Sequence, residues 1–457
     1  MSPGTIIAGK FMAERILVIG GVAAGMSAAS RARRLAPEAR ITVLERGPAV
    51  AYGACGLPAF LAGALPLSAL RAHPPEEFTE RRKLEVLTGH EALEIIPSRR
   101  QVLVRSDGRQ TTLAFDKLVI ATGAESALAI PGADHRLLFR AYTWEQAERL
   151  DRFCREQRPR AAAVIGGGYI GLEVAEALAQ RGLAVRLFER GARLLPRFGE
   201  EMAGLVAQAA QRHIAVELGV AVRRVRAPRA EGVRLETTAG DCNVDFAVDC
   251  AGLRPSVGLA AAAGVALGST GALAVDERQQ TNLPAIWAAG DCAQTRDLVS
   301  GRAAWIPLGP AANKQGRVAG QNAAGGSPAR FPGVLGSLAI RVFGLEAGRT
   351  GLSLEQARTA GFQPRAELVR AEAQPGYAGH RRLMLALIYD GPSRRPLGCE
   401  IVGESGAVMP RLNAAAAALA GRLSLDALEL LDLAYHPDLA PLYDPLLIAA
   451  HRAAAPR

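Results

Sequence analysis

Lysine is nearly absent from this 457-residue chain. Only four of its 54 basic residues are lysine (Lys10, Lys83, Lys117 and Lys314), and the rest are arginine. A formal charge of +10 invites a nucleic-acid reading. However, the arginine pairs are scattered, no basic block of five or more occurs, and alanine is inflated alongside arginine. The charge therefore reads as compositional background and argues against nucleic acid as a partner. Aromatics are only 5%, so the core must be built largely from Ala, Leu and Val. No long apolar run exists: the uncharged stretch 257–268 is mostly Ala and Gly and too short to cross a bilayer. The N-terminus lacks a signal peptide's apolar core and cleavage site. Residues 1–11 read as a leader, because Met12-Ala-Glu-Arg15 opens the first strand, and a cytoplasmic location is expected. The six cysteines (55, 154, 242, 250, 292 and 399) form neither C-x-x-C nor C-x-x-x-x-C. That excludes zinc ribbons and dithiol redox motifs, and no metal site is expected. A reducing compartment also disfavours structural disulfides.

What is present is ordinary globular material, 49% apolar with 49 Gly and 27 Pro, long enough for two or three domains. Arg15-Ile-Leu-Val-Ile-Gly20 reads as a buried parallel strand, Gly20–Gly25 as a glycine turn, Met26–Leu35 as a helix and Ile41–Glu45 as the next strand. The grammar recurs. Ala162–Gly166 is a strand, Gly166–Gly171 a turn, Leu172–Gln180 a helix and Ala184–Glu189 a strand. In such a turn the first glycine permits the bend, the second lets backbone approach a pyrophosphate, and the third lets helix pack on strand. The second unit fits fully: Gly166, Gly168 and Gly171, with Glu189 eighteen residues on. The first carries Val22 at the middle place, with Gly21 beside it to let the chain come close, and Glu45 twenty residues after Gly25. Two such units imply FAD and NAD(P)H, and a bound flavin requires an acceptor site. Further strands are expected at 116–124, 245–252 and 281–291, a linker at 328–334, strands at 338–342 and 383–389, and a helix at 413–419.

Cys55 sits in Ala51-Tyr-Gly-Ala-Cys-Gly-Leu-Pro-Ala-Phe60, ten residues after Glu45. This places it near the flavin edge at the start of a helix, whose N-terminus would depress its pKa and favour the thiolate. Together with Gly20–Gly25, Ala121-Thr-Gly123, Gly166–Glu173, Ala289-Gly-Asp291, Pro307–Gly316 and Leu433-Ala-Tyr-His-Pro437, this segment resembles the single-cysteine branch of the pyridine nucleotide-disulfide oxidoreductases along essentially the whole chain. That branch includes coenzyme A-disulfide reductases, NAD(P)H-dependent persulfide or polysulfide reductases, NADH oxidases and NADH peroxidases.

The resemblance implies an α/β chain with two Rossmann-like, three-layer dinucleotide-binding domains and a C-terminal α+β dimerisation domain. It divides the chain into an FAD domain in two segments (12–125 and 255–327), an NAD(P)H domain (126–254) and an interface domain (328–457). For FAD it implies Gly20, Gly21, Val22, Ala23, Ala24, Gly25, Glu45, Arg46, Thr122, Gly123, Gly290, Asp291 on the ribityl chain, and Pro307, Leu308 and Asn313 beside the pyrimidine. For NAD(P)H it implies Gly166, Gly168, Tyr169 as the nicotinamide gate, Ile170, Gly171, Glu173, Glu189 and Gly252. Glu189 should favour NADH over NADPH, moderated by Arg190 and Arg193. Ala23 stands where oxidases and peroxidases carry a histidine, which counts against oxygen as acceptor. Tyr435 and Tyr377 match the tyrosines with which a partner subunit protonates a departing thiolate. Ala51, Ala54, Ala59 and Leu439 replace polar or aromatic residues, making the pocket less polar and roomier. No rhodanese domain follows residue 457, so an external sulfur carrier is expected.

The expected activity is FAD-dependent NAD(P)H reduction of a small disulfide or persulfide through Cys55 in a homodimer. Coenzyme A derivatives are first among the acceptors, with Arg31, Arg33, Arg34 and Arg71 at the substrate end. The alternatives are a water-forming NADH oxidase and an electron-transfer flavoprotein reductase serving a protein partner.

Overall fold

The computed structural model describes residues 13–455 apart from 75, 227–231, 379 and 405; the expected leader, 1–11, lies outside the described residues. Strand Arg15–Ile19 is central in a five-stranded parallel sheet. It lies between Lys117–Ile120 and Arg40–Glu45, with Ile286–Ala288 and Glu85–Thr88 at the edges. Its apolar run is continuous because both faces are covered. Ile16 and Val18 pack under helices Ala23–Leu35 and Gly309–Ala323. Leu17 and Ile19 pack against Ile95, Val102 and Val104 of the antiparallel strands Glu91–Ile96, Gln101–Ser106 and Arg109–Ala114. The two helices cross on small residues. A Cβ at Gly316 or Gly320 would fall well inside van der Waals contact with the Ala24 or Ala28 carbonyl. Part of the high Ala and Gly content thus has a packing origin.

The chain leaves this sheet through Ala124–Ser126 and returns through Leu253–Pro255, two segments paired antiparallel. Between them lies a second parallel sheet, ordered Ala215–Leu218, Ala184–Glu189, Ala161–Ile165, Phe246–Asp249, Leu138–Phe139. Helices Trp144–Gln157, Tyr169–Gln180 and Glu200–Gln211 and an antiparallel three-stranded sheet (Val222–Arg226, Val233–Thr237, Gly240–Val244) accompany it.

The third unit is a five-stranded antiparallel sheet, ordered Leu338–Val342, Leu345–Gly351, Pro396–Glu404, Arg382–Asp390, Pro364–Glu372. Its alternation decides its neighbours. Leu383, Leu385 and Leu387 face helices Met409–Ala420 and Pro445–Ala454. Met384, Ala386 and Val402 join the core of the second dinucleotide unit.

Both turn helices start earlier than the sequence reading, at Ala23 and Tyr169 rather than Met26 and Leu172. Gly25 and Gly171 belong to the first helical turn, where a glycine usually signals a break; close approach to the preceding strand end requires it there. The Ala-rich helix expected at 413–419 also starts early, at Met409, with Pro410 in its first turn, where the missing N–H costs nothing.

Candidate functional site

The two glycine turns are near-copies. Gly20 (φ +102°) and Gly166 (φ +111°) bend where a side chain would strike the Ala121 and Cys250 carbonyls. A Cβ at Gly25 or Gly171 would strike the Gly20 or Gly166 carbonyl. Glu45 accepts hydrogen bonds from the Gly21 N–H (2.7 Å) and the Gly47 N–H (2.8 Å). Glu189 does the same with Gly167 (2.7 Å) and Gly191 (2.7 Å). Neither following helix has a side-chain cap, so first-turn N–H groups remain open to an anion. The acid, the uncapped helix and the side-chain-free bend fit a dinucleotide pyrophosphate and ribose at each turn.

The middle position explains Val22. In the second turn, a Cβ on Gly168 would meet nothing within 4 Å, so the protein itself tolerates a side chain there. Gly21, expected beside Val22 to let the chain come close, has a packing requirement of its own. A Cβ on it would lie 2.6 Å from Val50 Cγ1, and Gly167 faces Leu194 Cδ2 at the same distance. Both glycines let the turn close on the segment after the acid.

The remaining expected contacts distribute around these turns. Arg46 is exposed beside Glu45. Thr122 Oγ1 donates to the Ser256 carbonyl (2.7 Å), and Gly123 (φ +69°) accepts from the Ser256 N–H. Gly252 (φ +111°) accepts from the Ala127 N–H, and Ile170 lies in the second-turn helix. Leu308 caps helix Gly309–Ala323 after Pro307, and Asn313 Nδ2 donates to Ser27 Oγ (2.8 Å). Gly290 donates to Gln315 Oε1 (2.9 Å), and Trp305 Nε1 donates to the Asp291 carbonyl (2.7 Å).

Cys55 lies in a 3-10 turn, Ala54–Gly56, that runs into the short helix Leu57–Leu61. Fully buried Leu57 and Leu61 hold this helix against Tyr169–Gln180. Cys55 is exposed. Its thiol is nevertheless pushed up, first by desolvation and then by the Glu173 and Asp291 carboxylates. This corrects the expected helix-dipole depression: five residues make a weak dipole, and desolvation, then the two carboxylates, outweigh it. Burial, then Glu176, raises Glu173 to about 7, and burial raises Asp291 to about 6. Tyr169 is raised by burial and by Asp291. The fold therefore gathers Cys55, Tyr169, Glu173 and Asp291 into one site with an open sulfur and a carboxyl that exchanges its proton near neutral pH.

A cleft of about 370 Å³ begins at Gly53, two residues before Cys55. Arg34, Arg82, Arg317, His73 and Ser30 line it. Arg82 is tied to Glu77 (2.7 Å) and His73 Nε2 (2.9 Å). Arg34 and Arg317 are exposed and have no ion-pair partner among the described residues. Of the four arginines expected at the substrate end, only Arg34 lines this cleft. Arg31 donates to Gln321 (2.6 Å), and Arg33 to the Pro37 (2.6 Å) and Lys83 (2.7 Å) carbonyls. Arg71 lies over the Trp144 ring (5.0 Å). On helix Ala23–Leu35, 100° per residue sends Arg31, Arg33 and Arg34 to different neighbours, whereas Arg71 follows a separate 3-10 turn, Leu67–Leu70.

Tyr377 and Tyr435 come together on the C-terminal surface, 80% and 50% exposed. A hydrogen bond between the phenols raises Tyr377. They are not among the groups that act on Cys55 in this chain. Exposed Leu430, Leu439, Leu442 and Tyr443 lie on the same C-terminal stretch.

Sequence reasoning missed Gln315, Trp305, His73, Arg82 and Arg317. Gln315 stood inside a recognised motif and could have been found there. The others have no local pattern, because their meeting depends on the tertiary fold.

The pyridine nucleotide-disulphide oxidoreductase profile matches residues 14–316, and the dimerisation-domain profile of the same name matches 339–444. The chain is 36% identical to the NAD(P)H coenzyme A polysulfide/persulfide reductase of Pyrococcus horikoshii, over 97% of this chain and 99% of that one. It is 27% identical to the coenzyme A disulfide reductase of Staphylococcus haemolyticus, over 93% and 96%. The structure of an NAD-dependent persulfide reductase from A. fulgidus superposes with a TM-score of 0.91 at 35% identity, covering 96% of this chain and 82% of that one.

Proposed function

Because the chain belongs to the pyridine nucleotide-disulphide oxidoreductases, we propose that it is an NAD(P)H- and FAD-dependent reductase of a low-molecular-weight disulfide or persulfide. Coenzyme A derivatives lead the acceptors, and Cys55 is the redox-active sulfur. The observation that carries this reading is the cleft that reaches Gly53, two residues before Cys55, whose Arg34 and Arg317, without ion-pair partners among the described residues, suit a thiol bearing phosphates.

FAD fits the first turn, with Gly20–Gly25, Glu45, Asp291 and the start of helix Gly309–Ala323 to hold it; NAD(P)H fits the second, with Gly166–Gly171 and Glu189. The chemistry the flavin supplies when bound is passage of an electron pair from NAD(P)H toward sulfur. The chain's own residues do the rest. Cys55 Sγ, as thiolate, attacks one sulfur of R–S–S–R; a Cys55–S–S–R bond forms, the substrate S–S bond breaks, and RS⁻ leaves. Glu173 holds the proton released from the Cys55 thiol. Tyr435 and Tyr377 of the partner subunit protonate the leaving RS⁻. This last role requires a homodimer, for which the dimerisation-domain match and the exposed apolar residues of the C-terminal unit are the support. Glu189 favours NADH. No helix among the described residues is long and apolar enough to cross a membrane.

An anaerobic panel of acceptors (coenzyme A disulfide, coenzyme A persulfide, polysulfide, cystine) tests the reading, with mass spectrometry of Cys55 after single turnovers. The expected result is fastest turnover with a coenzyme A derivative and a mixed disulfide or persulfide on Cys55. A Cys55→Ser enzyme that kept full reductase activity would overturn it.

A further inference from the structure

Glu400 is a carboxylate that the C-terminal sheet buries and then spends on another unit. It faces Arg349 across neighbouring strands, and the two are 3% and 4% exposed. Burying a carboxylate is costly unless its oxygens are satisfied. Arg349 turns to its own unit, donating to the Gly351 carbonyl (2.9 Å) and Gln356 Oε1 (2.7 Å). Glu400 Oε2 instead accepts the Gly199 N–H of the second dinucleotide unit at 2.7 Å. Gly199 caps helix Glu200–Gln211 and ends the segment that follows Glu189.

Near its middle, Arg193 Nη2 donates to the Pro196 carbonyl within the segment (3.4 Å) and lies 3.8 Å from the exposed Glu355 Oε2, a weak ion pair across the same boundary. Inward, the Leu195 N–H donates to the Gly167 carbonyl (2.9 Å), and buried Leu194 packs on Gly167. Gly167 in turn donates to Glu189. A continuous path therefore runs from the C-terminal sheet through segment 190–199 to the turn and its acid. The first turn has the same inner bonds, including Ala51 N–H to the Gly21 carbonyl (2.9 Å), but its segment abuts Glu145 of helix Trp144–Gln157 rather than the C-terminal sheet.

We propose that Glu400, assisted by Glu355, is a positioning residue for NAD(P)H: it fixes segment 190–199 from across the unit boundary and so sets dinucleotide affinity at the second turn. This rests on assigning that turn to NAD(P)H. Glu355 also sets a carboxylate against Arg193, competing with a 2′-phosphate for that guanidinium, and so biases the site toward NADH.

Steady-state kinetics of the FAD-loaded enzyme, with NADH and NADPH varied, test it. Glu400→Ala should raise KM for NADH about 5- to 20-fold with kcat within about twofold and FAD content unchanged. Glu400→Gln, whose amide oxygen can still accept the Gly199 N–H, should recover most of the loss. Glu355→Ala, at an exposed position, should raise the NADPH/NADH ratio of kcat/KM about two- to fivefold. Parental KM in Glu400→Ala, equal losses in the Ala and Gln variants, or an unchanged ratio in Glu355→Ala would overturn the proposal. If Glu400→Ala does not fold, Glu355→Ala and Glu400→Gln decide alone, the latter expected to keep a KM within about threefold of the parent. Glu189→Ala separates the two readings. A raised KM there beside a parental Glu400→Ala refutes only the clamp, whereas parental KM in Glu189→Ala refutes the NAD(P)H assignment and the clamp with it.

Discussion

Replacing Glu173 with glutamine should stabilise the protein at neutral pH and lower the pH at which Cys55 is alkylated. Glu173 is partly buried on helix Tyr169–Gln180, one turn beyond Tyr169 and one turn before Glu176. Burial and Glu176 raise its carboxyl from 4.5 to about 7. For a raised carboxyl the sign is fixed. Below the unfolded value both states are protonated and nothing is lost. As pH climbs from about 4.5 to 7 the unfolded chain ionises first, and the folded chain loses stability until its own carboxyl ionises. One pH unit corresponds to about 1.36 kcal/mol, so the full loss is roughly 3 kcal/mol. Glutamine cannot ionise and escapes it.

The stability difference between Glu173→Gln and the parent should thus be near zero at about pH 4 and grow to roughly 3 kcal/mol by about pH 8. Urea midpoints at a series of pH values measure it. Iodoacetamide alkylation of Cys55 over the same series reads the second consequence. Glu173 is one of two carboxylates that push the thiol up, so its removal should move the alkylation midpoint to lower pH. Parallel stability curves across the range, or an unmoved alkylation midpoint, would refute the reasoning.

Gly316→Ala forces a methyl into the Ala24 carbonyl and must part the two helices beneath the first turn; about 1–3 kcal/mol of stability and much of the bound FAD should be lost, read by urea unfolding and flavin absorbance. Gly168→Ala should behave oppositely, because its Cβ meets no protein atom: an unchanged thermal midpoint with a raised KM for NADH. The double variant Arg34→Ala/Arg317→Ala should weaken phosphate-bearing acceptors at least tenfold while leaving inorganic polysulfide turnover nearly intact, and its loss should shrink at high salt.

The amino-acid sequence by itself determined the two βαβ units, their glycine turns, the acids Glu45 and Glu189 and the position of Cys55. These features are local: an apolar run buried on both faces and a bend that excludes side chains leave their mark within a few neighbouring residues. The doubled hydrogen bonding of each acid follows the same short spacing. The tertiary structure alone decided the rest. Whether Cys55 is favoured as thiolate depended first on desolvation by the packed fold and then on Glu173 and Asp291, residues distant in sequence, which together outweighed the short helix the sequence suggested. Which of these arginines lines the cleft depended on where each helical side chain found an acceptor: Arg33 found carbonyls, Arg31 found Gln321, and Arg34 has no ion-pair partner among the described residues. The reach of Glu400 to Gly199 crosses the boundary between two units. No periodicity records such a contact, because it arises only when two finished surfaces meet.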